Sequence, residues 1–199
     1  AICEKDKKFN GVEILPENVI VTQGSSEGIQ MLMAAVIDSG DEILVPGPTY
    51  PAYISYAKIF GGKSVPYETV ENNGWQPNVD DLRNKISKKT RAVAIINPNN
   101  PCGALYEEKV LKQILDLAGE HDIPVLSDEI YDQIIYEKKF VSTASLAKDV
   151  PIIGLNGFSK AHLMTGWRLG YVYFHDQGDQ LKEFKQCIEK EARIRLCAN

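Results

Sequence analysis

Arg91-Ala-Val-Ala-Ile-Ile96, Asn97-Pro-Asn-Asn-Pro-Cys-Gly103, the amphipathic run from Glu107 to His121 and then Pro124-Val-Leu-Ser127 read in order as strand, loop, helix and strand. The first run is rich in small and β-branched residues, as a buried strand requires. Proline extends neither a ladder nor a helix, and asparagine accepts turn geometry, so the loop between them is rigid and is no linker. Strand, helix and strand in succession make the repeating unit of a mainly parallel sheet with helices on its faces.

The same alternation continues outward in both directions. Upstream, Val19-Ile-Val-Thr22 reads as a strand, and Gly24-Ser-Ser26 opens a helix carrying Ile29, Met31, Leu32 and Met33. Glu42-Ile-Leu-Val45 is a strand closed by Pro46-Gly-Pro48, Tyr50 to Phe60 a helix ended by Gly61-Gly62, and Lys63 to Tyr67 is extended. Asn78 to Ser87 is a short charged helix. Downstream, a helix is expected near Ile130, with strands at Ile152–Asn156 and Arg168–Phe174. The run from Gln177 to the end reads as one long helix, and Ala1 to Asn10 as a helix stopped by Gly11. Neither edge is capped, so the chain is expected to be an excised piece of a longer protein.

Composition sets the outer limits. At 199 residues, 44% hydrophobic and 25% charged, the chain has the ordinary globular mixture and room for one α/β domain. A net charge of −5 with no basic stripe argues against nucleic acid as a partner. The apolar runs are far shorter than the ~20 residues that cross a bilayer, so no membrane partner is expected. Four cysteines without CxxC spacing fit a reduced, cytoplasmic setting.

In open parallel sheets ligands bind beyond the carboxyl ends of the strands, so polar residues placed there are the candidates. Gly24, Ser25 and Ser26 open a helix whose free N–H groups and dipole favour an anion such as phosphate; the plainer alternative is that Ser25 or Ser26 merely caps that helix. Gly61-Gly-Lys-Ser64 looks like the end of a phosphate loop, but Ala57 stands where its first glycine belongs and a helix precedes it. Asp128 follows a buried strand and either points into the crevice or caps the next helix. Lys160 follows another strand and is either a reactive amine or a solvated one. Arg168 could hold an anion or a surface acid.

Four separated motifs, in order, carry a resemblance. Pro48-Thr-Tyr-Pro51, Asn97-Pro-Asn-Asn-Pro-Cys-Gly103, Ser127-Asp-Glu-Ile-Tyr131 and Gly157-Phe-Ser-Lys-Ala-His-Leu-Met-Thr-Gly-Trp-Arg-Leu-Gly170 together resemble the class I/II aminotransferases, fold-type I pyridoxal-phosphate enzymes. The last looks like the family's cofactor-attachment signature from end to end. The resemblance implies a three-layer α/β/α fold with a mainly parallel sheet, residues 1–199 being the cofactor-binding large domain, without the small domain and the N-terminal arm.

It further implies that Lys160 forms a Schiff base with the cofactor, pyridoxal 5'-phosphate, and later shuttles a proton at the substrate Cα. Asp128 would keep the pyridine nitrogen protonated. Tyr131 and Asn100 would donate to the phenolic oxygen, and Tyr50 would stack on the ring. Gly24, Ser25, Ser26 and Arg168 would hold the phosphate.

Two positions depart from the pattern. Gly157 stands where many relatives carry a serine, which implies weaker phosphate anchoring. Cys102 stands where threonine is commoner, which puts the loop's rigidity in doubt.

The implied reaction is transfer of an amino group between an amino acid, alanine or aspartate, and a 2-oxo acid, in a homodimeric full-length protein. Other chemistry on this scaffold would be carbon–sulfur lyase activity, and a different class would be a cofactor-sensing domain of a transcriptional regulator.

Overall fold

The computed structural model describes residues 1–196. Cys197 and the last two positions of the expected C-terminal helix lie outside the described residues.

One eight-stranded sheet runs through the molecule in the order β1-β8-β7-β6-β5-β2-β3-β4. The strands are β1 (Val19–Thr22), β2 (Glu42–Gly47), β3 (Lys63–Val70), β4 (Gln76–Pro77), β5 (Thr90–Ile96), β6 (Val125–Asp128), β7 (Ile152–Gly157) and β8 (Gly170–His175). The central strands β3, β2, β5, β6 and β7 pair in parallel. β8 runs antiparallel to both β7 and β1, and the two-residue β4 runs antiparallel to β3.

Successive side chains of a strand point to opposite faces, and the two core clusters follow that rule. Ile43, Val45, Ala92, Ala94 and Ile96 enter one core with residues of α2 (Ser25–Val36), α3 (Pro51–Ile59) and α7 (Lys182–Leu196). Leu44, Val93 and Ile95 enter the other, under α4 (Val79–Lys85), α5 (Glu108–Glu120) and α6 (Thr143–Leu146). Helices thus cover both faces of a mainly parallel sheet, as the alternation in the sequence requires. The remaining helix, α1 (Ile2–Lys5), continues into a wider turn at Asp6–Asn10 that Gly11 ends with a left-handed backbone.

Three expectations are corrected. No helix forms near Ile130: residues 130–133 make a turn, because Asp128 and Glu129 are spent on other bonds described below. β2 continues through Pro46 and Gly47, where a turn was expected, and β3 continues to Val70; the two strands stay in register from Glu42↔Lys63 to Gly47↔Glu68. The C-terminal helix begins at Lys182, since residues 177–181 form a turn held by Asp176, which accepts the Leu181 N–H at 2.7 Å.

Candidate active site

Parallel strands bring their carboxyl ends to one edge, and the side chains just past those ends converge there. Ser25, Ser26, Tyr50, Asn100, Asp128, Tyr131, Lys160 and Arg168 line a single cavity of about 230 Å³, with Ile96, Ile130, Ser159 and Thr165. The candidates come from six separate stretches of chain, and the sheet assembles them.

Asp128 ends β6 and is 4% exposed. Its Oδ2 accepts from the Tyr53 hydroxyl at 3.1 Å and its Oδ1 from the Ile130 backbone N–H at 3.3 Å. Burial pushes this carboxyl up to about 6, against the pull of those two donors. Asp128 does not cap a helix; a turn at residues 130–133 follows it.

Tyr131 sits in the turn after β6, and Asn100 in the loop after β5, with their polar ends 3.5 Å apart, the amide donating. The Lys160 amine lies 5.7 Å from the centre of the Tyr131 ring, on its face. Lys160 itself is exposed at the cavity rim. Tyr50 caps the start of α3, half-buried.

At the other end, α2 begins at Ser25, with Gly24 as its N-cap and no side chain bonded to its first N–H groups. The serines therefore do not spend themselves on capping, and the positive helix end is left to the cavity. Gly24 does not line the cavity, yet it shapes it. Its φ is +78°, and a Cβ there would meet the Arg168 Nη2 at 2.6 Å, so glycine leaves the guanidinium its place beside the helix end. Arg168 donates to the carbonyls of Thr165 (2.9 Å) and Gln23 (3.3 Å), which orient it across that end. A helix N-terminus with a guanidinium over it suits a phosphate, and a buried acid suits a protonated ring nitrogen; this donor set fits pyridoxal phosphate.

The two departures have structural answers. At Gly157 a Cβ would stand 3.1 Å from both Ile130 Cδ1 and the Leu169 carbonyl, so the close pairing of β7 with β8 leaves little room for a side chain. The loop holding Cys102 is tied by asparagines. Asn99 accepts the Cys102 N–H at 3.2 Å and donates to the Tyr106 hydroxyl at 3.0 Å, while Asn97 accepts the Tyr106 N–H at 2.9 Å. Burial raises the Cys102 thiol, which makes it a poor thiolate.

Sequence reading missed Tyr53, Ser159 and Thr165. Tyr53 lies three residues after Tyr50, so helical spacing could have pointed to it. Thr165 enters through its backbone bond to Arg168, for which no sequence signal exists.

Comparison with known proteins shows the family. The sequence model described as aminotransferase class I and II matches residues 1–195. The chain belongs to that family. It is 40% identical over 184 residues to the alanine aminotransferase of Mycobacterium tuberculosis, covering 92% of this chain and 43% of that protein. Against the glutamate-pyruvate aminotransferase AlaA of Escherichia coli K12 it is 39% identical, covering 94% of this chain and 46% of the other. The solved alanine aminotransferase of Pyrococcus furiosus superposes with a TM-score of 0.97 at 54% identity, over all of this chain and 50% of that one. The chain thus spans about half the length of the aminotransferases it matches. Each of these relatives is named an aminotransferase, which favours that reading over a carbon–sulfur lyase or a sensor domain. Among the described residues no helix is long and apolar enough to cross a membrane.

Proposed function

We propose that this chain is the cofactor-binding large domain of a pyridoxal-phosphate-dependent aminotransferase, and that the whole protein exchanges an amino group between alanine and a 2-oxo acid. The observation that carries the reading is the convergence of Lys160, Asp128, Tyr131, Asn100 and Arg168 on one cavity at the carboxyl edge of the sheet. The names of the alanine and glutamate-pyruvate relatives support alanine over aspartate.

When bound, the cofactor supplies a carbonyl for the substrate nitrogen and an electron sink that acidifies the Cα–H bond. The chain's own residues do the rest. Lys160 would hold the cofactor covalently through its amine, the only lysine lining the cavity among the described residues. With the cofactor in place, the same amine, on the cavity wall, would take the proton from the substrate Cα and return one, as general base and then general acid. Asp128, buried and acceptor-only when ionised, would hold the proton on the ring nitrogen. Tyr131 and Asn100 would orient the ring through its phenolic oxygen, and Tyr50 would cover one face. The N–H groups of Ser25 and Ser26, with Arg168, would hold the phosphate.

The remaining half of the relatives' length has room for the small domain and the clamp on the substrate carboxylate. Leu163 and Trp167, 88% and 76% exposed on the segment between β7 and β8, are large apolar side chains that a second copy could cover, which fits a homodimer. The free thiols of Cys3, Cys102 and Cys187 fit a reduced cytoplasm.

The test is direct. The full-length protein supplied with alanine, 2-oxoglutarate and pyridoxal phosphate should yield glutamate and pyruvate. Ammonia and pyruvate from cysteine without any 2-oxo acid would point to the lyase instead.

A further inference from the structure

Tyr53 lies on α3 one turn past Tyr50, and its side chain is fully buried. It packs in the core between α2, α3 and the sheet, among Met33, Val45, Ala94 and Leu126. Its hydroxyl reaches out of that core to Asp128 Oδ2 at 3.1 Å. A phenol so placed has one service it can render to a carboxylate, which is to donate a proton-bearing bond to it. Burial, reinforced by the Asp128 charge, raises the phenol well above its ordinary value, so it keeps its proton at every working pH.

We infer that Tyr53 is a positioning residue for Asp128: by donating to Oδ2, while the Ile130 N–H takes Oδ1, it fixes the carboxylate plane and favours its ionised form. A hydrogen bond to the charged form of an acid stabilises that form, and here both partners are shut away from water, where such a bond is strongest. Without it, burial alone would act on the carboxyl and hold it protonated further up the pH scale. A protonated Asp128 could not keep a ring nitrogen charged. The role rests on the reading of Asp128 as that nitrogen's partner, and it adds to the site a residue that lines no part of the cavity.

The other titratable or charged groups facing Asp128 across the cavity are Tyr50, Tyr131, Lys160 and Arg168. Glu129, next in the chain, turns away to Ser127, Ser142 and the Thr143 N–H. All of these are unchanged in a Tyr53→Phe protein, which removes one oxygen and leaves the ring.

The experiment is an infrared pH titration of the full-length protein prepared without cofactor. The protonated-carboxyl band of Asp128 is assigned by its loss in Asp128→Asn. In Tyr53→Phe that band should persist to a pH about one to two units higher than in the parent, the shift expected for losing one hydrogen bond to a charge. The same midpoint in both proteins overturns the inference, and leaves Tyr53 as packing between α3 and the sheet. Should Tyr53→Phe not fold, the parent grown on 3-fluorotyrosine replaces it. Its more acidic phenol donates more strongly and should move the Asp128 midpoint down, and no movement overturns the inference equally.

Cofactor retained after desalting is measured on the parent separately. Its absence would overturn the reading of the cavity, while the Asp128 midpoint would still decide the role of Tyr53.

Discussion

Asp128 shows burial working against charge at a single residue. Burial in the cavity wall pushes its carboxyl up to about 6, with two neutral donors as the bonds it makes. An unfolded aspartate titrates near 3.9, so between about 4 and 6 the native state holds a proton that the unfolded chain has released. Stability therefore falls as pH rises through that window, by about 2–3 kcal/mol in total, and stays at the lower level above it. Asparagine has no proton to lose. Cofactor-free Asp128→Asn should gain on the parent by about 2 kcal/mol at pH 7.5 and by almost nothing at pH 4, read from denaturant midpoints at the two values. A difference that does not change with pH would contradict this. The residue was legible in the sequence from its place after a strand. Its phenolic partner was not, because Tyr53 and Asp128 lie 75 positions apart and only the fold joins them.

Elements around the site are held by polar side chains as much as by apolar ones. In the loop from Asn97 to Gly103, Asn99 bonds both the Cys102 N–H and the Tyr106 hydroxyl. Asn99→Ala leaves both groups without that partner and should cost about 1–3 kcal/mol, whereas Cys102→Ala should cost under about 1 kcal/mol, measured by thermal or urea unfolding. The unusual cysteine was visible in the sequence, but the bonds that tie the loop were not, since they run through Asn99, two positions on from Asn97. At the N-terminal element, Lys5 pairs with the buried Asp132, and Asn10 and Asn156 donate to the same carboxylate at 3.0 and 2.8 Å. Asp6, also buried, accepts from Asn10 and Tyr171. The cluster fastens residues 5–10 to the turn that carries Tyr131 and to the end of β7. Lys5→Met removes the one cation within it and should destabilise the protein by about 3 kcal/mol, the cost of leaving a buried acid unpaired. A loss below about 1 kcal/mol in equilibrium unfolding would show that the acids are satisfied without it. Sequence reading took residues 1–10 for a plain amphipathic helix, because nothing local marks a lysine whose partner lies 127 residues away.

Across the whole molecule, the parallel centre was legible and the sheet's edges were not. Runs such as Ala92–Ile96 and Val125–Leu126 are apolar on both faces, which announces burial under two helical layers whatever the strand order. The direction of β8 and β1 is decided by pairing between distant segments, and their short apolar sequences look the same either way. The expected helix near Ile130 failed for a similar reason: Glu129 is drawn into bonds with Ser142 and Thr143, and Asp128 with Tyr53, so the chain turns there. The proposed function asks one amine and one acid, placed at or just past the ends of neighbouring strands β7 and β6, to serve one cofactor. Reduction with borohydride in the presence of pyridoxal phosphate, followed by peptide mapping, tests that claim most directly. The account predicts the label on Lys160 and its disappearance in Lys160→Ala; label on another lysine, or none in the parent protein, would contradict it.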